Sequence, residues 1–230
     1  MANELSIFMW ALKLAPFLLG HRPQSQKPTM TLDTKDVALL TVKQKPGSVT
    51  VIFGSRDTGK TELAYRLAEF FGRPTFAVSP QQKPPSWIEW IKEINDIFTR
   101  VPRGSTLLMD DLPAYFSNKD YQESFARAVE RVIPMVRHEP QPPEYPIGEV
   151  HLIFSSQSSA QADRYILDCD LALLKPLGLL MGEIERPSIA KIYKTLVNPC
   201  FEGRDEMFIK QHAFMLSRTY KGLITFKKVT

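Results

Sequence analysis

Residues 48–53 read Ser-Val-Thr-Val-Ile-Phe and run directly into Gly54-Ser-Arg-Asp-Thr-Gly59-Lys60-Thr61. A β-branched apolar strand that ends in Gly-x-x-x-x-Gly-Lys-Thr and then opens a helix leaves a chain few folds to adopt. The helical run Glu62-Leu-Ala-Tyr-Arg-Leu-Ala68 follows at once. In such a loop successive backbone N–H groups curl around an anion, and the helix adds the positive end of its dipole. Gly54 and Gly59 permit the backbone angles and close approach this requires. The spacing predicts a phosphate-binding loop for a nucleoside triphosphate, ATP, with Lys60 at the β- and γ-phosphates and the Thr61 hydroxyl on Mg²⁺. The expected nucleotide contacts are Gly54, Ser55, Arg56, Asp57, Thr58, Gly59, Lys60, Thr61 and Glu62.

At 230 residues the chain suits one large domain, or one domain with a small appendage, long enough to bury a core without metals or disulfides. Hydrophobic residues make up 43% and charged residues 23%, the balance of a soluble globular protein. Cys169 and Cys200 are far apart and have no histidine beside them, which argues against a zinc site or a disulfide framework and fits a reducing compartment. A net charge of +4 is a mild lean toward a polyanionic partner; ordinary surface lysines account for it equally well. Residues 5–19 are the most apolar stretch, but Lys13 and Pro16 interrupt it and it is short for a bilayer. It is expected to be a helix docked on the body or on a neighbouring subunit, with interfacial membrane contact as the alternative. Residues 1–36 are read as this helix and a linker, and 37–230 as the main domain.

Along the main domain the pattern predicts alternating strands and helices. Strands are expected at Asp36–Val42, Thr75–Val78, Ser105–Asp111, Val150–Ser155, Asp170–Leu174 and Gly222–Phe226. Helices are expected after the loop to Phe71, over Pro85–Phe98 with Trp87, Ile91, Ile94 and Phe98 on one face, over Tyr121–Val136, and near Asp205–Ser217. Glu139–Pro146 is too rich in proline for a helix. Such alternation predicts an α/β fold, a mostly parallel sheet covered by helices on both faces, with ligands at the carboxyl ends of the strands. The glycine loop, Asp110-Asp111 and Ser155-Ser156-Gln157 all fall at such ends.

Asp110 follows Leu107-Leu108-Met109 and is expected to orient Mg²⁺ through water. Asp111 is placed to polarise a water for attack on the γ-phosphate, or to cap the turn at Leu112-Pro113. The strand ending at Phe154 is assigned to the middle of the sheet, between the loop strand and the Asp110 strand. Gln157 would then either reach the γ-phosphate, where a side-chain amide both donates to the phosphate and accepts from the lytic water, or be a surface glutamine in a serine-rich loop.

The run Val150-His-Leu-Ile-Phe-Ser-Ser-Gln157 resembles the FtsK/HerA motif, in which an Ile-His-Leu strand ends in Thr-Gln before Arg-Pro-Ser. The resemblance covers roughly residues 48–175 and implies a RecA-like, additional-strand P-loop ATPase. The compact size is similar to the genome-packaging branch of membrane-containing icosahedral viruses. By resemblance, the partners would be double-stranded DNA, further copies of the chain in a ring, a hexamer, and a capsid vertex or portal. The location would be the virion or host cytoplasm, with a viral membrane near residues 5–19. The family carries arginines between its acidic strand and its glutamine strand, where Arg127, Arg131 and Arg137 lie here, and one would complete the neighbouring subunit's site. Arg127 and Arg131 share a helix face. Arg100, Arg103, Lys221, Lys227 and Lys228 are candidates for the DNA path by charge alone.

Two departures mark the chain. Asp111 stands where these ATPases carry Glu, and Ser158-Ser159 replaces Arg-Pro. The filamentous-phage assembly ATPases and a nucleotide-dependent switch or scaffold are the alternatives. A small-molecule kinase is disfavoured, because nothing resembles its arginine-rich lid.

Overall fold

The computed structural model describes residues 30–31, 37–79, 83–110, 132–133, 135–142, 147–157, 168–178, 185 and 187–225. Among these residues there are nine strands, β1 (Met30–Thr31), β2 (Ser48–Phe53), β3 (Thr75–Val78), β4 (Glu89–Ile91), β5 (Thr106–Met109), β6 (His151–Ser156), β7 (Leu171–Leu174), β8 (His212–Ser217) and β9 (Lys221–Thr225). They form one sheet in the order β1-β9-β8-β7-β2-β6-β5-β3-β4. From β7 to β4 all pairs are parallel, while β8 runs antiparallel to both β7 and β9. The helices are α1 (Val37–Lys43), α2 (Lys60–Phe71), α3 (Ile97–Arg100), α4 (Pro187–Ile192), α5 (Asn198–Phe201) and α6 (Glu206–Gln211), with a π-helical turn, Tyr193–Val197, joining α4 to α5.

Strands β2 and β6 are buried at every residue, as central parallel strands covered on both faces must be. Alternate side chains then feed two cores. Val49, Val51, Phe53, Leu107, Met109, Leu152 and Phe154 point to one, packed by Ile97, Val132, Val136, Tyr193 and Val197. Ile52, Ala77, Leu108, Ile153, Leu171 and Leu173 point to the other, packed by Ala38, Leu39 and Val42 of α1 and Leu63, Leu67 and Phe71 of α2. Each of these fully buried Leu or Phe side chains is worth roughly 1.5–3 kcal/mol. Helix α2 ends where expected, with Gly72 in the left-handed conformation returning its N–H to the Ala68 carbonyl.

Four expectations need correction. Asp36–Val42 is not a strand: 37–43 is helix α1, because a short apolar run reads equally as either and here Ala38, Leu39 and Val42 stripe one face against α2. Pro85–Phe98 is not one helix. Glu89–Ile91 joins the sheet beside β3, followed by a 3₁₀ turn at Ile94–Asp96 and the single turn α3. Ile88, Ile91, Ile94 and Ile97 are all buried, and that three-residue spacing imitates a helix in the sequence. Asp205–Ser217 splits into α6, capped by the Asp205 carboxylate on the Phe208 N–H at 2.7 Å, and strand β8. From His212 onward the burial alternates between the two cores, the period of a strand. Met30 and Thr31, within the expected linker, pair with β9. Helices α4 and α5 had no counterpart in the sequence reading. The apolar segment 5–19 and most of the expected helix Tyr121–Val136 lie outside the described residues. Among those described, no helix is long and apolar enough to cross a membrane.

His151 begins β6 and is fully buried, stacked on Phe71 with ring centroids 4.4 Å apart. Its Nδ1 lies 2.6 Å from the Ser48 hydroxyl, and its Nε2 has no hydrogen-bond partner among the described residues. Burial, aided by the nearby Arg73 guanidinium, holds the imidazole down to about 4. The unfolded chain takes up this proton first as pH falls, so the neutral ring's contribution is complete above about 6.5 and lost on the way to about 4. Urea unfolding should show roughly 3 kcal/mol lost over that window from this group. The His151→Asn variant should lack that part of the acid slope; an identical slope would assign it elsewhere.

Candidate active site

Strand β2 delivers the loop to the carboxyl edge of the sheet. Gly54 donates to the Ser156 carbonyl at 3.3 Å and lies so close to β7's continuation that a Cβ there would stand 2.4 Å from the Lys175 Cβ. Gly59 caps α2 in the left-handed conformation, φ +82, where a side chain would be strained. Between them the Ser55 carbonyl accepts from Thr58 Oγ1 at 2.8 Å and from Lys60 Nζ at 2.7 Å. The loop is thereby tied into a closed arc with the lysine across it. The Ser55 hydroxyl is buried without a hydrogen-bond partner among the described residues, on the side of the loop that faces Gly178, where an added Cβ would stand 3.4 Å from it.

Across from the loop, β5 leads directly into Asp110, only 9% exposed. Thr61 Oγ1 donates to its Oδ2 at 2.8 Å, and the Ser155 hydroxyl at the end of β6 donates to its Oδ1. Both carboxylate oxygens are therefore held by hydroxyls from two different elements. Tyr65, one turn along α2, borders the same cleft as Asp110 and Ser155. Its phenol is pushed up to about 12, first by burial and then by the Asp110 and Glu62 carboxylates.

A hydroxyl and a carboxylate 2.8 Å apart at the start of the loop helix are hard oxygen donors of the kind Mg²⁺ takes. No group of three or more His, Cys, Asp and Glu gathers among the described residues. Mg²⁺ commonly takes one or two protein oxygens and completes its shell with water and substrate phosphate. The residues present fit Mg·nucleotide.

The structure brings Gly54 to Thr61, Asp110 and Gln157 to one edge. Gln157 follows β6 directly, and β6 lies between β2 and β5, the position expected for it. Glu62 sits at that edge but turns outward to pair with Arg66 at 2.6 Å. Asp111, Arg127, Arg131, Lys227 and Lys228 lie outside the described residues. Arg137 is at the other end of the strands: its guanidinium meets Asp170 at 3.0 Å, and Asp170 also accepts from Lys45 and from the Val49 N–H. Burial alone would raise the Asp170 carboxyl, but these hydrogen bonds outweigh it and hold it below the usual range. Arg100 and Arg103 are likewise spoken for, by Glu89 and Asp96 and by Glu139 and Glu149. The sequence reading gave no role to Ser155, Tyr65 or Lys175. For Ser155 a signal existed, a hydroxyl residue closing the strand beside Asp110.

Fold and site together define a P-loop NTPase with RecA-like, additional-strand architecture. No protein-family model matches the sequence, and no curated protein does. In structure, the chain is similar to the pCW3 conjugation coupling protein TcpA solved with ATPγS, with a TM-score of 0.54 and 9% identity over 79% of this chain. It spans 61% of that chain's length. The genome-packaging NTPase B204 of Sulfolobus turreted icosahedral virus 2, solved with AMPPCP, aligns at a TM-score of 0.49 and 10% identity, over 81% of this chain and all of that one. The cytoplasmic domain of the Thermomonospora curvata type VII secretion ATPase EccC aligns at 0.47 and 12%, over 82% of this chain and 24% of that one. At those last two scores the likeness adds nothing to the assignment. What these structures share with this chain is the fold.

Proposed function

We propose that this chain is a Mg²⁺-dependent ATPase that translocates double-stranded DNA, as the subunit of a ring that packages a viral genome into a preformed capsid. The observation that carries the reading is the place of β6. Inserted between the loop strand and the Asp110 strand, it delivers Ser155 to the acidic residue and Gln157 to the phosphate edge. A small-molecule kinase has no use for a reporter there, whereas a motor that converts hydrolysis into movement needs one.

Lys60 meets the β- and γ-phosphates, and the loop N–H groups hold the chain of oxygens. Thr61 and Asp110 would hold the metal, with Ser155 keeping Asp110 in register. When bound, Mg²⁺ neutralises charge on the transferring phosphoryl group. Asp111 accepts the proton of the attacking water, Gln157 orients that water and reports the γ-phosphate, and an arginine of the next subunit completes the site. Arg127 and Arg131 are the better candidates for that arginine, since Arg137 is committed to Asp170 within its own chain. Movement of one subunit against the next would then draw DNA through a closed cyclic assembly.

The reading is tested by ATP turnover with and without long double-stranded DNA. DNA should stimulate turnover several-fold. Gln157→Ala should bind a non-hydrolysable ATP analogue like the parent, yet lose turnover by on the order of 10²-fold. Nucleotide binding with no DNA-dependent turnover would replace the motor with a nucleotide-dependent switch or scaffold.

A further inference from the structure

Lys175 is a fully buried lysine that the site described so far does not use. Its backbone N–H continues the β2–β7 pairing by donating to the Phe53 carbonyl at 2.7 Å, and the next carbonyl, Pro176, accepts from the Ser55 N–H at 3.0 Å. This stretch is therefore the floor on which the phosphate loop is laid. The side chain starts against Gly54 and ends with Nζ donating to the Ile209 and Lys210 carbonyls, at 2.7 and 3.0 Å. The Lys210 carbonyl is also what a side chain at Gly59 would meet, at 3.3 Å. The lysine thus runs beneath the loop from its first glycine to its second and fastens both to the end of α6.

A methionine would fill such a space without desolvating a charge, and buried ion sites commonly cost stability relative to apolar replacements. Among the described residues no carboxylate pairs with Lys175. The charged groups around it are Lys60 from the start of α2, Asp57 in the loop, Lys210 with its partner Glu206 on α6, and His212 and Arg204 flanking that helix. Neither carboxylate in that set pairs with Lys175, Glu206 being engaged by Lys210, and the loop above is built to hold an anion. We propose that Lys175 is a second cation of the phosphate site, set beneath the loop, which positions it and stabilises the charge of a bound nucleoside polyphosphate. This inference rests on the nucleotide-binding reading and adds a positioning residue to it. Burial first, and the Lys60 charge second, lower the free ammonium to about 7, so in the absence of phosphate it is poised to lose its proton. An anion above it reverses that balance, and binding should draw a proton in.

The test is calorimetric titration of the full chain with MgADP and with a non-hydrolysable ATP analogue at pH 8, in buffers of different ionisation enthalpy. Wild type should take up most of one proton per nucleotide, and its affinity should fall as pH rises above about 7. Lys175→Met should take up none, bind about tenfold more weakly at pH 7, and show no such pH dependence, while its thermal midpoint holds or rises. Lys175→Arg, permanently charged, should restore affinity without proton uptake; it also answers the question if the methionine variant does not fold. Wild type without uptake, or Lys175→Met with unchanged affinity and uptake, would overturn the proposal and leave a structural lysine. If wild type binds neither probe, or Lys60→Ala binds both as wild type does, the nucleotide reading itself falls first.

Discussion

Asp110→Asn is expected to leave the protein folded and able to bind nucleotide while cutting Mg²⁺-dependent turnover by on the order of 10²–10³-fold. Asp110 is nearly buried, and each of its oxygens already accepts from a hydroxyl, Thr61 on one side and Ser155 on the other. Asparagine keeps the shape and one acceptor but turns the other position into a donor facing a hydroxyl, and it removes the charge that holds the ion. The hydroxyls can rotate to satisfy the new amide, so the cost to folding is small compared with the cost to chemistry. Steady-state turnover across a Mg²⁺ titration checks this. Turnover within a few-fold of wild type would mean that the ion is held elsewhere and that Asp110 is a structural carboxylate.

Lys60→Ala should act one step earlier, on nucleotide affinity. Charge-assisted hydrogen bonds are worth roughly 1.5–3 kcal/mol, so MgATP binding should weaken by about 10–100-fold and turnover should fall below detection. In the structure the Lys60 ammonium lies across the loop on the Ser55 carbonyl, already at the mouth it would serve, so little reorganisation precedes its contact with phosphate. Equilibrium binding of a fluorescent ATP analogue measures the loss. A variant that binds within twofold of wild type would rule out the lysine as the phosphate ligand. The pairing with Asp110→Asn is informative because the two substitutions should separate, one losing affinity and the other rate.

The loop itself was legible because its chemistry is local. A buried strand, two glycines at fixed spacing and a lysine at the start of a helix are set by residues within a dozen positions of one another, and the structure places each where the spacing says. The same holds for the strands at Thr75, Thr106, His151 and Leu171, whose unbroken apolar runs suit only a sheet buried on both faces. Pro85–Phe98 was misread for an equally physical reason. Its isoleucines fall every third residue, and only the open edge of β3, which the sheet leaves free beside it, draws Glu89–Ile91 into an extended form.

By itself, then, the sequence determined the glycine loop set between a buried strand and its helix and the places of the buried parallel strands, since both follow from short-range covalent spacing. Only the tertiary structure decided that Arg137 spends its charge on Asp170 at the opposite end of the strands, that Ser155 meets Asp110, and that Lys175 runs buried beneath the loop. Each of those pairings joins residues more than thirty positions apart. Sheet order and register, not local pattern, bring such groups within hydrogen-bond distance.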